Sequence, residues 1–276
     1  MTEVTVWITV VVFFLLLFAL RVNPFRAAGA FVQELFTNRK FLLHFLALIG
    51  ILFMNKVELI LENRMVQKND FTSDIYRLEG DFVAAVQHLF RSDWLTIASS
   101  FFYVVVFTAI MVASLGIYTY QKNHKLFYAV CYAMMFNYMI AIPFYLFFPV
   151  NEVWYYASTK VEFLMTSVFP TFEQEYRPLS GLNNCFPSLH TSLSVTMAVI
   201  AWKSNSVFWR RFTIGSAAFI IFSIFYLGIH WLTDMCGGLL LGLFAGTMAL
   251  RLSEGRSLFQ NYVVSFLKNR EVGKNG

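Results

Sequence analysis

Seven stretches of this chain are apolar over all or most of the length that crosses a bilayer, which excludes most of what a polypeptide of its size can become. A membrane helix needs roughly 20 mostly apolar residues to cross about 30 Å of hydrocarbon. The stretches run over about 4–22, 41–61, 94–119, 127–148, 187–202, 212–229 and 235–252, with ends defined to about 2–4 residues. Lys56 and Glu58 interrupt the second near its end, and the fifth is short. Hydrophobic residues make up 58% of the 276 and charged ones 13%, roughly half the usual charged share. A soluble fold of about 300 residues buries only about three-quarters of its extended surface, too little to hide so many apolar side chains. Lipid is therefore the solvent for much of the chain. The runs are continuous rather than alternating, so they read as helices and not as barrel strands. The expected fold is an all-α polytopic bundle of about six to seven spans in one domain, 1–276.

Charge gives the expected orientation, because Lys and Arg accumulate on the cytoplasmic flanks of short loops. Of the 21 basic residues, 14 fall on one set of flanks, from Arg21, Arg26, Arg39 and Lys40 to those after the last span. The opposite set holds 7 basic residues and 13 of the 16 acids. This places the N-terminus outside and the C-terminus inside, with the protein in the plasma membrane. The first span reads as an anchor, since no basic region precedes it. The net charge of +5 becomes an inner collar facing anionic lipid. Nothing resembles a nucleic-acid footprint. Two outward connections are long, 62–93 and 149–186; within them 71–92 and 152–168 read as interfacial segments. Residues 253–276 read as a cytoplasmic tail, amphipathic over 258–268.

Of five histidines, His44, His88 and His124 read as packing or hydrogen-bonding residues. His190 stands in Asn-Asn-Cys-Phe-Pro-Ser-Leu-His-Thr-Ser at the outer end of the fifth span. Pro187 suits the first helical position, and the unpaired amides after it form a seat for an anion, with the Ser188 hydroxyl beside them. His230 stands in Tyr-Leu-Gly-Ile-His-Trp-Leu-Thr-Asp, four residues before Asp234. On a helix those two share a face, so the carboxylate fixes the imidazole tautomer and leaves the other nitrogen as a nucleophile. Asp234 also reads as a cap that starts the seventh span. Both histidines fall at outer helix ends separated by one inner turn. The pair suggests phosphoryl transfer through a phosphohistidine, with no metal required. A zinc site on two histidines and an aspartate is open by ligand type, but an anion seat argues for an anionic substrate.

FPSLH followed by YLGIHWLTDMCGG resembles the second and third signature motifs of the type 2 phosphatidic acid phosphatase superfamily. The resemblance implies that His190 protonates the leaving group, His230 attacks phosphorus and Asp234 orients His230. It also implies that Ser188 and the following amides, beginning at Leu189, hold phosphate. The third motif usually has Ser-Arg where this chain has Ser223-Ile224. The first motif usually has a lysine seven residues before Arg-Pro; Arg177-Pro178 is present, but Pro170 fills the lysine position. Arg177 is then the expected charged clamp, with Lys160 a second candidate. Loss of these basic residues is similar to the branch of inositol phosphorylceramide and sphingomyelin synthases, where FPSLH is a common second motif. FFPVNEVWYY at 147–156 resembles that branch's Phe-Pro segment only to Val150.

These features imply a metal-independent, cofactor-free lipid-phosphate phosphatase at the extracytoplasmic face, acting on a phosphomonoester or pyrophosphate lipid. The alternative is a phosphotransferase that moves a phospho-headgroup to an alcohol. A lesser one is a non-catalytic lipid-binding or transport protein. The expected partners are the lipid phosphate and the bilayer. Cys185 and Cys236 both fall on the outer side, as packing thiols or as a disulfide.

Overall fold

The computed structural model describes residues 2–62, 64–65, 69–177 and 180–256. The expected amphipathic tail at 258–268 lies outside them. The described residues form α1 (Thr2–Leu20), α2 (Pro24–Thr37), α3 (Arg39–Glu62), α4 (Thr72–Glu79), α5 (Phe82–Phe90) and α6 (Asp93–Phe101). A π-helical turn, Phe102–Val106, carries α6 into α7 (Phe107–Tyr120). Then follow α8 (His124–Phe147), α9 (Phe172–Tyr176), α10 (Leu189–Ala201), α11 (Val207–Tyr226) and α12 (Leu232–Ser253). The protein is an all-α polytopic bundle, and no β-strand occurs among the described residues.

Among the described residues, six helices are long and apolar enough to cross a membrane: α1, α3, the continuous α6–α7 rod, α8, α11 and α12. Their outer faces carry large apolar side chains in the open, such as Phe53 at 65% exposure and Leu240 at 72%. Water would make that surface costly, whereas hydrocarbon accepts it. The fifth apolar stretch behaves differently. It forms a helix of only 13 residues, about 20 Å long at 1.5 Å per residue. Nine of those residues are buried, including the polar Thr191, Ser192, Ser194 and Thr196. Protein surrounds α10, packed by α7, α8, α11 and α12, so it does not need the uniformly apolar surface of a lipid-facing span.

Small residues set how closely α10 and α12 approach. On α12, Gly238, Gly242 and Gly246 recur every fourth residue and so share one face. A Cβ at Gly238 would come within 2.6 Å of Ser188 O, and one at Gly242 within 2.5 Å of Ser192 O. Gly246 meets Val199 in the same row. This is close backbone packing of the kind small residues permit between membrane helices. Polar bonds extend it: Asn137 of α8 donates to Thr196 Oγ1 at 3.1 Å, and Thr196 donates to Gly242 O at 3.1 Å.

The two long connections close over one end of the bundle. Segment 71–92 is two helices rather than one, because Gly80 takes φ +58° between them. Both pack inward, with Ile75, Val83 and Gln87 buried, α4 against α12 and α5 against α11. Segment 152–168 folds into single turns at Val153–Tyr155, Ala157–Thr159 and Leu164–Ser167. Backbone bonds tie it to the other loops: Val150 N donates to Asn183 O, Glu152 N to Leu182 O, and Trp154 N to Gly228 O. Gly228 has φ +79°, and a Cβ there would lie 2.6 Å from Val161 Cγ1 and 2.7 Å from Glu162 O. Both conditions require glycine two residues before His230.

Candidate active site

Two chain entries meet under this cover. The first opens α10. Ser188, not Pro187, is the cap, and its Oγ accepts from Thr191 N at 3.3 Å. Pro187 therefore stands one residue outside the helix rather than at its first position; its carbonyl accepts from Tyr145 Oη at 3.0 Å. Ser188 N donates to Asp234 O, which fastens the cap to α12. The amides of Leu189 and His190 have no partner among the described residues. The expected anion seat thus consists of two backbone N–H groups, while the buried Ser188 hydroxyl serves the helix itself.

The second entry opens α12. His230 is not on a helix: residues 229–231 lie between α11 and α12, and α12 begins at Leu232. Asp234, at the third helical position, turns its carboxylate back over the cap. Its Oδ2 accepts from Trp231 N at 2.9 Å and faces His230 Nδ1 at 3.3 Å. The pairing expected from a shared helix face is produced by capping geometry instead, and the cap residue is Trp231 rather than Asp234. Asp234 is fully buried and His230 is 5% exposed. The ring centroids of His190 and His230 are 6.3 Å apart. His190 is sandwiched by Tyr103 at 3.8 Å and Phe107 at 4.3 Å, where the π-helical turn joins α7. π-Turns are frequent at functional sites.

A cavity of about 100 Å³ opens on both histidines. At roughly 10–15 Å³ per water it admits about seven water-sized groups, the size of a headgroup and not of an acyl chain. Leu189, Asn55, Asn184, Ser180, Glu152 and four tyrosines, Tyr103, Tyr138, Tyr145 and Tyr176, contribute to its wall. Burial, then the Glu152 charge, pushes the Tyr176 phenol up to about 12, so it keeps its proton at neutral pH. Glu58 is also buried nearby and accepts from Asn184 Nδ2 at 3.3 Å. The carboxylate that interrupts the second span thus faces protein, while Lys56 is exposed.

Among the described lining residues there is no lysine or arginine. The structure brings His190, His230, Asp234, Ser188 and Leu189 together, but not Arg177 or Lys160. Arg177 closes both ends of its guanidinium on carboxylates. It donates to Glu152 Oε1 and Oε2 at 2.8 and 2.7 Å, and to Glu173 at 2.7 and 3.2 Å. Burial lowers its proton affinity, but these bonds outweigh it and hold the pKa above the ordinary arginine value. Glu152 in turn accepts from Trp154 Nε1. Lys160 is exposed, at φ +53°, in the cover. Ile224, at the family's arginine position, is fully buried in the apolar cluster under the cover, and its carbonyl accepts from Ile229 N and His230 N. Arg177→Ala is expected to lower stability by about 3–5 kcal/mol by stranding buried Glu152. Thermal unfolding in detergent, with Lys160→Ala as the near-neutral control, checks this.

Two contributors were not legible in the sequence. Glu79 on α4 accepts from Leu232 N at 2.7 Å and Thr233 N at 2.5 Å, so a carboxylate already satisfies the start of α12. The cover therefore holds the His230 loop directly, across about 150 residues of sequence that carry no signal for the pairing. The tyrosine wall is the other: the sequence shows only aromatics in spans. Cys185 and Cys236 are not joined: Cys185 is a buried free thiol and Cys236 an exposed one.

A family model described as the PAP2 superfamily matches residues 76–248, from the cover through α12. No curated protein and no solved structure matches the chain.

Proposed function

The chain belongs to the PAP2 superfamily, and from that premise we propose that it transfers the phosphoryl group of a membrane lipid through a phosphohistidine on His230. The observation that carries this reading is the buried pair of histidines across a headgroup-sized cavity, one of them backed by Asp234. Asp234 accepts the Nδ1 proton of His230, which leaves the Nε2 lone pair to attack phosphorus. The bond from phosphorus to the lipid oxygen breaks, and His190 gives that oxygen a proton. The amides of Leu189 and His190 are aimed at the phosphoryl oxygens, where negative charge grows. An acceptor hydroxyl then attacks the phosphohistidine and returns a proton to His190.

With water as acceptor the protein is a lipid-phosphate phosphatase, acting on a phosphomonoester or pyrophosphate lipid at the extracytoplasmic face. A second reading, transfer to an alcohol, is favoured by the cavity wall. A monoester carries up to two negative charges and a diester one, and a wall whose described residues include no Lys or Arg suits the lesser charge. Purified protein incubated with lipid phosphates and phosphodiester lipids, with and without added alcohol acceptors, tests both. Free phosphate without an acceptor supports hydrolysis; a new lipid product only with acceptor supports transfer. No product from either panel would refute the phosphoryl-transfer reading. The orientation has its own test in a reporter fused after Gly276. Cytoplasmic activity is expected, and an external signal would reverse the assigned faces.

A further inference from the structure

One group of donors in the site has a chemistry that phosphoryl transfer does not use. Ligand atoms of Cys185, His230 and Asp234 lie within 4.8 Å of one another, and all three residues are buried. Thiolate sulfur, imidazole nitrogen and carboxylate oxygen form a donor set suited to zinc and its softer relatives. Three protein ligands with one open position are the pattern of a non-structural zinc site. Two further observations point to a ligand. Asp234 commits only Oδ2; Oδ1 is buried and has no hydrogen-bond partner. Cys185 and His230 both line the cavity, which supplies the fourth position. Cys185 itself makes only a 3.8 Å contact from Sγ to Ile229 O. Zn²⁺ with one thiolate, one carboxylate and a neutral imidazole sums to zero charge, so burial of the complex leaves no unpaired ion.

We propose that a thiophilic divalent cation such as Zn²⁺ binds Cys185, His230 and Asp234 and thereby shuts off the site. The set differs from the zinc alternative raised by the sequence, since Cys185 takes the place of His190. On binding, the Cys185 thiol gives its proton to solvent and a metal–sulfur bond forms, releasing one proton per ion. If the metal takes Nδ1 of His230, the ring proton moves to Nε2; if it takes Nε2, it occupies that lone pair directly. Either way His230 has no lone pair left for phosphorus. The metal site stands independently of the reaction proposed above, whereas the inhibition rests on it.

Cobalt titration of the full chain in detergent tests the site without any turnover. Wild type is expected to develop a thiolate-to-cobalt charge-transfer band at one equivalent, and added Zn²⁺ should abolish it. Cys185→Ser and Cys185→Ala should lose the band while Cys131 and Cys236 remain, and Asp234→Asn should weaken binding by about tenfold or more. Unfolding curves in metal-free buffer identify any variant that has failed to fold. Absence of the band in wild type, or its persistence in a folded Cys185→Ser protein, overturns the proposal. In the lipid assay, Zn²⁺ should inhibit wild type far more strongly than Cys185→Ser, each against its own metal-free rate. A band without lipid turnover would sink the reaction and leave the site. Turnover inhibited equally in both proteins would sink the site and leave the reaction.

Discussion

His230→Ala is expected to reduce lipid turnover by at least about 10⁴-fold while the protein remains folded, because no other side chain supplies the attacking lone pair. The same variant should form no acid-labile phosphoprotein when given labelled lipid. Asp234→Asn should cost about 10²–10⁴-fold: it keeps the shape, but an amide no longer accepts both the His230 Nδ1 and Trp231 N protons as a charged group does. His190→Ala should fall in a similar range, as expected of a general acid, with part of the loss recovered on a substrate whose leaving group needs no proton. Full activity in His230→Ala would refute the assignment outright. A variant set in which His190 matters more than His230 on the activated substrate would reverse the two roles.

Gly242→Val should be the most damaging change outside the site, at about 3 kcal/mol or more. Even a single Cβ there would sit 2.5 Å from Ser192 O and 2.9 Å from Val195 Cβ, and the first of these is backbone that cannot swing away. Relief requires α10 and α12 to part, which carries His190 and Asp234 with them. Thermal unfolding in detergent should therefore show a lower midpoint, and lipid turnover should fall further than stability does. Gly50→Ala is the matched control, because nothing lies within 4 Å of a Cβ at that position of α3. Equal midpoints for the two variants would remove the close-packing account of the α10–α12 pair.

The membrane class, the helical fold and the superfamily were legible in the residues in order. Long apolar runs identify helices in lipid, since a bilayer leaves backbone groups no other partner. The motifs around His190 and His230 are local, so the resemblance to the superfamily can be read from neighbouring residues. Arg177 shows where local reading stops. As Arg-Pro in a motif it reads as a free phosphate clamp, but Glu152 and Glu173 take its guanidinium; Glu173 stands at the helical spacing of four residues, whereas Glu152 lies 25 residues away, a separation no periodicity connects. Gly238, Gly242 and Gly246 lay in plain sight at every fourth position, and they were the one available signal that α12 would pack close against another helix.

The sequence by itself therefore determined that this chain suits a membrane, folds as helices and carries two histidines and an aspartate in motifs that resemble those of the PAP2 superfamily. Hydrophobic periodicity and motif spacing are properties of neighbouring residues, and a bilayer reads them directly. Only the tertiary structure decided that α10 is an inner helix, that Asp234 meets His230 through a cap, and that the described residues of the cavity wall include tyrosine, asparagine and Glu152 but no lysine or arginine. Those outcomes depend on which side chains are left over once every buried charge has found its partner, and that accounting closes only in three dimensions.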